Sequence, residues 1–364
     1  MRAALFALLC CSLYTSTQAQ SKVVKLVDSL LHADLRFVPT PILFRSPETS
    51  WGLGLSVGYY FKTDKKARTS NTQFQVVRTF NQQTLLRLSA DIFTSEERLF
   101  IHYYSGYKKY LDRFYGLGPN SLESNREDFS FSSWVTAISI LGKVAPGVFT
   151  GLNLRHQAMY SIAPLETNGA LLSGLIQGST GSNTIGFGPE FRFDTRDNVM
   201  SPLQGSFMSA IFRYNPKMNA ANPTYQTYLL DLRHYLPVGA GHVWANRFFN
   251  QNQTGSPPFR ELGLVGGSDL VRGYFQGRYR DKSISALETE MRFHVWKMLG
   301  ATVFTSAFQV GPTPSSLLQN RWKGAYGGGL RIFVNQKERI VLRMDVARTF
   351  EGHMAFYLDL NESF

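Results

Sequence analysis

The sequence contains very little cysteine, and its only long apolar run lies at the beginning. Both cysteines of the 364 residues, Cys10 and Cys11, fall within the apolar stretch 3–13. The small-x-small triplet Thr17-Gln18-Ala19 follows that stretch, and the two together form the pattern of a secretory signal peptide. We therefore expect residues 1–19 to be removed, which leaves a chain without thiols or disulfides.

The rest of the chain has no run near the roughly 18–20 consecutive apolar residues of a membrane-spanning helix. A form embedded in a membrane would therefore cross it as strands. The formal net charge is +12, and a basic balance attracts anionic lipid, acidic polysaccharide or nucleic acid alike. After export, we expect outer membrane lipids as partners and no nucleic acid.

Signals of catalysis and of metal binding are weak. The seven His residues show no spacing typical of metal ligands, and no pair of carboxylates stands apart from the others. The segment 54–58 matches the Gly-x-Ser-x-Gly pattern of a nucleophile elbow, but that motif requires a turn from a strand into a helix. Ser56 falls in the middle of a predicted strand, so we expect neither an enzyme nor a cofactor.

From residue 36 onward the apolar residues recur with a period of two. In the segment 51–61, for example, the odd positions are large and apolar, whereas the even ones are mostly Gly or Ser. Such segments run for about 10 to 12 residues, longer than the 5 to 6 residues usual in soluble sheets. This is the length of a tilted strand that crosses a bilayer.

Short and long connections alternate along the chain, which is the second feature of outer membrane barrels. Segment starts near 36, 51, 71, 84, 98, 129, 148, 184, 205, 224, 242, 284, 300, 322, 338 and 353 give about sixteen strands. The sequence therefore predicts an all-β, single-domain transmembrane antiparallel β-barrel of about 16 strands over residues 36–364. Helical spacing of apolar residues predicts a short periplasmic helix within 20–35.

Two details concern the place where the barrel closes. Pro39 and Pro41 lie in the first strand and cannot donate ladder hydrogen bonds, so we expect a short or loose seam with the last strand. The last strand is predicted to end in the aromatic Phe364, in parity with Phe356 and Leu358 on the lipid-facing side.

The most specific string, Gly-Gly-Ser-Asp-Leu-Val-Arg-Gly-Tyr at residues 266–274, lies in the longest loop. It resembles the Val-Arg-Gly-Phe/Tyr motif in the sixth extracellular loop of the bacterial surface antigen family, which comprises BamA/TamA-like barrels. Further strings of that family occur in the same order: Tyr115 to Asn120, Asp194-Thr195-Arg196-Asp197-Asn198 with Pro202 and Gly205 as a periplasmic turn, Glu290-Met291-Arg292, and Gly327 to Arg331. The resemblance covers essentially all of residues 36–364.

The resemblance implies that this loop folds into the lumen and docks its arginine on the inner wall. The loop motif is then Val271, Arg272, Gly273 and Tyr274. A confined guanidinium needs a carboxylate or several carbonyls to offset its desolvation, and Glu288 and Glu290 on the next strand are the candidate partners by parity. The family often has an Asp on the thirteenth strand, where this chain has Ser306.

About sixteen residues separate Gln20 from the first strand, so we expect a form without the family's periplasmic POTRA domains. The resemblance implies a role in outer membrane protein assembly or translocation, with a periplasmic or outer membrane protein supplying substrate binding. A homo-oligomer is compatible with the sequence.

Two alternatives stay open: a loop-gated pore for small solutes, and a structural surface antigen. A pore would use the mixed charges predicted on the lumenal face, Arg87, Asp91, Arg192, Asp231, Arg233, Arg339, Arg343 and Asp345.

Overall fold

The computed structural model describes residues 37–47, 49–64, 67–165, 169–171, 173–219, 222–239, 241–335 and 339–364. The predicted signal peptide, 1–19, and the predicted helix within 20–35 lie outside these residues. Over the described ranges, no helix is long and apolar enough to span a bilayer.

Strands account for most of the described chain. In order, they are β1 Phe37–Ser46, β2 Ser50–Phe61, β3 Ser70–Thr79, β4 Thr84–Phe93, β5 Leu99–Phe114, β6 Glu127–Ala145, β7 Val148–Pro164, β8 Ser182–Asp194, β9 Gly205–Asn215, β10 Tyr225–Pro237, β11 Val243–Gly255, β12 Gly263–Val265, β13 Tyr279–Asp281, β14 Ser283–Trp296, β15 Leu299–Gly311, β16 Lys323–Asn335, β17 Ile340–Thr349 and β18 Met354–Leu360. A one-turn helix, Pro314–Leu317, lies between β15 and β16.

Sixteen of these strands form one closed antiparallel barrel, in which β1 meets β18 and β11 pairs directly with β14. The remaining two, β12 and β13, pair only with each other and belong to the long loop between β11 and β14. The structure therefore confirms the predicted transmembrane barrel of about sixteen strands.

Alternation along each strand separates the two faces of the wall. On β14, Glu288 and Glu290 are buried towards the lumen. Leu287 of the same strand, whose registered neighbours are on β11 and β15, is 47% exposed on the outside. Successive side chains of a strand point to opposite faces, so a polar interior and an apolar exterior require a period of two.

The two ends of the barrel differ in their connections. One end, which we name the long-loop rim, has the connections 115–126, 165–181 and 256–282. The opposite short-turn rim has the connections 94–98, 146–147, 238–242 and 297–298. This is the alternation of long loops and short turns expected from the sequence.

The seam between β1 and β18 is much weaker than the other junctions. β1 makes ten registered pairs with β2, but only one with β18, Arg45 with Leu358. Pro39 and Pro41 have no N–H to donate, which explains part of this difference. The prediction of a loose seam is confirmed.

The predicted position of Phe364 is wrong. β18 ends at Leu360, and Asn361 takes a left-handed conformation with φ of 67°. That turn carries Phe364 into the barrel, where it packs with Tyr235 and Val243 on the lumenal face. The parity of β18 therefore does not extend beyond Leu360.

The weak seam predicts uneven hydrogen exchange. Amides of β1 should exchange faster than those of β6, which has sixteen registered pairs with β5, because exchange follows the cost of local opening. Mass spectrometry of the detergent-solubilised barrel would measure this. Equal protection of β1 and β6 would contradict the interpretation of the seam.

Candidate functional site in the lumen

The candidate site is the tip of the loop hairpin formed by β12 and β13. Three registered pairs hold the hairpin together, and the motif 271–274 lies in the tip between its strands. Val271 has φ of 59° and Gly273 has φ of 117°. A Cβ at Gly273 would come within 3.0 Å of the Ala325 Cβ atom, so only glycine allows the tip to approach the inner wall this closely.

Arg272 lies at the centre of the site and is almost fully buried, with 2% of its side chain exposed. Its guanidinium donates to Glu290 on β14 and, at 2.5 Å, to Asp345 on β17. The guanidinium also lies 3.6 Å from the centre of the Phe304 ring. The loop is thereby fixed to three strands of the wall, β14, β15 and β17.

Three further arginines share the same two carboxylates. Arg292 donates to Glu290 at 2.7 Å, and Arg331 donates to Asp345 at 2.6 Å. Arg343 reaches Asp345 at 3.3 Å. Both carboxylates have no exposed side-chain surface, so each buried charge depends on several partners to offset its desolvation.

Glu362, which follows β18, adds a third carboxylate to this cluster. It accepts from the Arg331 Nε atom at 2.8 Å and lies 3.8 Å from the Arg292 Nε atom. The segment after β18 therefore belongs to the same network as the loop.

Glu288, the other candidate partner, binds the main chain of the loop and does not pair with Arg272. It accepts from the Val271 N–H at 2.9 Å and lies 3.4 Å from Arg247. Arg247 in turn donates to the Asp269 carbonyl at 2.7 Å. Of the two candidates, only Glu290 therefore forms an ion pair with Arg272.

Asp345 is the partner of Arg272 that sequence reasoning missed. The parity of β17 predicts a lumenal position for this residue, but nothing in the sequence brings β17 opposite the loop tip. Ser306, at the position where the family often has an acid, donates instead to the Ala325 carbonyl at 3.3 Å. The carboxylate is thus supplied by another strand.

Tyr274 fixes the outer side of the tip. Its hydroxyl donates to Glu351 in the turn between β17 and β18 and lies 3.1 Å from the Gly324 carbonyl oxygen. Its ring packs edge-on against Phe308 at 5.1 Å. The Tyr357 hydroxyl accepts from the Gly273 N–H at 3.0 Å, so β18 also holds the loop.

Glu351 lies at the long-loop rim, outside the spanning strands. Burial opposes its ionisation, but hydrogen bonds from Tyr274 and Lys323 hold its pKa below the ordinary 4.5. Tyr279 also faces it, at 3.4 Å. The ionised carboxylate is therefore the form that binds the docked loop.

The second motif, around 194–205, folds into a turn at the short-turn rim. Asp194 accepts two hydrogen bonds from the Arg196 guanidinium, both 2.9 Å. Asp197 and Asn198 accept main-chain N–H groups of the same turn, Asp197 at 3.0 Å and Asn198 at 2.8 Å. These side-chain hydrogen bonds replace the main-chain hydrogen bonds of a sheet, which the turn lacks.

This turn also contacts the opposite wall. Arg339, predicted as a lumenal strand residue, lies instead in the turn before β17 and donates to Asp197 at 2.5 Å. Burial opposes ionisation, but the hydrogen bond from Arg339 keeps the pKa of Asp197 low. Pro202 is buried in the turn, and Gly205 begins β9 with φ of 104°.

The remaining residues singled out in the sequence are dispersed. Ser56 lies in the middle of β2, facing the lumen, and not at a turn into a helix. His102 pairs with Asp91 at 2.7 Å on the lumenal face. They do not join the Arg272 cluster.

Comparison with known proteins agrees with this architecture. A family model described as the Omp85 superfamily domain matches residues 44–333. No curated protein matches the sequence significantly.

Several solved structures share the fold. They include BamA from Haemophilus ducreyi lacking POTRA domains 1–3, with a TM-score of 0.59, 11% identity and coverage of 90% of this chain and 70% of that one. CdiB from Acinetobacter baumannii has a TM-score of 0.56 and 12% identity, with coverage of 89% of this chain and 59% of that one. CdiB from Escherichia coli has a TM-score of 0.59 and 10% identity, with coverage of 90% of this chain and 63% of that one. The chain thus spans less than two thirds of either CdiB, and these identities show the fold alone.

Replacing Arg272 should release the loop. In Arg272→Ala, Glu290 and Asp345 each lose a buried partner, and breaking a buried ion pair costs about 3–5 kcal/mol. We expect a higher single-channel conductance in planar bilayers, because the hairpin no longer fills the lumen.

The control for this variant is Arg126→Ala, which removes a partly exposed ion pair with Asp128 at the long-loop rim. Exposed pairs contribute about 0–1 kcal/mol, so its conductance should match the wild type. An unchanged conductance of Arg272→Ala would show that Arg272 does not hold the plug.

Acidification should loosen the outer side of the tip. Because the pKa of Glu351 is lowered in the docked state, its ionised carboxylate stabilises the docked loop fully above pH 4.5. This stabilisation is lost as the pH falls through the lowered pKa. Conductance should rise over this acidic range in the wild type. In Glu351→Gln, which cannot titrate, the part of the rise that depends on Glu351 should be absent, and identical pH profiles would contradict this assignment.

Proposed function

Because the chain belongs to the Omp85 superfamily, we propose that it assembles or translocates polypeptides at the outer membrane. Its fold is similar to those of BamA and CdiB, which supports a role in the biogenesis of that membrane. The partner that delivers a polypeptide is a periplasmic or outer membrane protein in this proposal, and a homo-oligomer remains a prediction.

The observation that carries the proposal is the seam between β1 and β18. Ten residues of β1 are registered with β2, but only Arg45 is registered with a residue of β18. A strand edge with free ladder groups is a template for another strand, and addition of a strand to an open edge is a known mode of peptide binding. A client strand would bind here.

The docked loop supports the same proposal. Arg272, Gly273 and Tyr274 contact β14 to β18, the five strands of the wall that end at the seam. None of these loop contacts involves β1. The last strands are therefore held as one unit, whereas β1 has a single registered pair with them, so opening at this place breaks the fewest hydrogen bonds.

A second candidate function, a solute pore, is supported by the lumen itself. A cavity of about 850 Å³ remains beside the loop. Arg87, Lys108 and Arg213 line it, and none of them has an ion pair with a carboxylate among the described residues. Such a pore would favour anions, and the conductance of wild type and Arg272→Ala would reveal it.

A disulfide across the seam tests the proposed function. Arg45→Cys with Leu358→Cys would join the one registered pair, and the only native cysteines are Cys10 and Cys11. In cells depleted of the wild-type protein, we expect this variant to lose outer membrane barrel proteins, as measured by proteomics, and to recover them with a reductant.

The matched control joins a fully paired junction. Val57→Cys with Phe74→Cys links registered residues of β2 and β3 on the same outer face and should leave barrel proteins at wild-type abundance. Unchanged barrel proteins on depletion, or full activity of the locked seam, would refute the assembly role.

A further inference from the structure

One row of polar side chains crosses the lipid-facing wall. Each residue of this row is the registered neighbour of the next across the strands β9, β10, β11, β14, β15, β16 and β17. The polar row consists of Ser206, His234, Asn246, Thr289, Thr305, Tyr326 and Arg348.

The outward-facing rows on either side are apolar except for the indole N–H of Trp244, which donates to Thr289 at 2.7 Å. Towards the long-loop rim, the flanking row is Met208, Leu232, Phe248, Leu287, Ala307 and Gly324. Towards the short-turn rim, it is Leu236, Trp244, Met291, Val303, Gly328 and Val346. The polar row is therefore a single line between two apolar ones.

Polar side chains on a lipid-facing wall require an explanation. Burying a polar group in hydrocarbon is costly without a hydrogen bond, and polar residues at membrane depth commonly mark pathways of transported groups. Seven consecutive strands contribute such a residue at the same register, whereas the neighbouring rows contribute only the indole N–H of Trp244.

Members of the row bond to one another or to the main chain, and Thr289 also accepts from Trp244 in the flanking row. Ser206 and His234 share a hydrogen bond of 2.7 Å, and Thr289 donates to Asn246 at 2.9 Å. Thr305 donates to the Ala325 carbonyl at 3.2 Å. These bonds let the row face lipid without a permanent protein partner, while each hydroxyl keeps acceptor capacity for another group.

The row runs from one rim of the barrel to the other. Ser206 is the second residue of β9, at the short-turn rim, and Arg348 is the penultimate residue of β17, at the long-loop rim. Because barrel strands tilt by about 35–45°, a line across the strands also rises through the membrane. The row thus connects the two headgroup layers.

The middle of the row opens into a groove of about 440 Å³. His234, Asn246, Thr289 and Thr305 line its polar side, and Leu232 and Phe248 line its apolar side. At the end of the row, the exposed Arg348 has no ion pair among the described residues. Polar atoms beside apolar walls, with a cation at one end, complement a phospholipid.

We propose that the polar row is a path along which phospholipid headgroups cross between the two leaflets. The headgroup moves along the hydroxyl, amide and imidazole groups, while the acyl chains stay against the apolar rows. Arg348 binds the phosphate at the long-loop rim. This activity is separate from the polypeptide role at the seam, which lies at β1 and β18.

A second group of outward polar residues provides a matched control. Ser105, Thr136 and His156 are registered neighbours on β5, β6 and β7, but Leu88 and Ile185 bound them on either side. This group has similar chemistry but does not extend from rim to rim.

The experiment measures phospholipid scrambling in liposomes that contain the purified full barrel and a fluorescent phospholipid. Dithionite destroys the label in the outer leaflet, so scrambling extends the loss of fluorescence to inner-leaflet lipid. We expect the wild type and the control variant Thr136→Val/His156→Leu to scramble at equal rates. The variant Asn246→Leu/Thr289→Val/Thr305→Val should be at least ten times slower.

Thr289→Val alone, a nearly isosteric change, covers the case in which the triple variant does not fold, and it should also slow scrambling. Equal rates for wild type and row variants, or no scrambling by the wild type above protein-free liposomes, would overturn the proposal. A wild type that is dimeric by light scattering, with monomeric row variants, would also overturn it, by making the row a protein interface. None of these results bears on the seam-locking experiment.

Discussion

The ion pairs of Arg272 with Glu290 and Asp345 are the interaction on which the arrangement of the lumen depends. All three side chains are buried, and each carboxylate also binds another arginine of the wall. Removing the loop would leave these charges in a wet lumen with one cation fewer. The loop and the inner wall are therefore complementary in charge, and the hairpin is an integral part of the barrel interior.

The docked loop also divides the wall into two parts. Its contacts lie on β14 to β18, so this part is braced from inside, whereas β1 is fastened mainly to β2. The boundary between the braced and the unbraced part is the seam. A barrel built in this way can open at the seam with little loss of hydrogen bonding, and in the proposed function a polypeptide strand binds there.

The lipid-facing surface of the barrel also has a region of distinct chemistry. It is apolar over most of its area, as contact with lipid requires, and the polar row from Ser206 to Arg348 is confined to the part formed by β9 to β17. The two proposed activities therefore use different features of one barrel: a strand edge at the seam for polypeptides, and a line of outward-facing side chains on β9 to β17 for phospholipids.

The sequence by itself determined the barrel, its approximate strand number, the weak first strand and the loop that contains Arg272, because all of these depend on local period, turn spacing or short motifs. It also placed Glu290 and Asp345 on the lumenal face by parity. Only the tertiary structure decided that Asp345 meets Arg272 and that Phe364 turns into the lumen. Closure of the barrel brings distant strands together, and a single left-handed residue, Asn361, ends the parity of the last one.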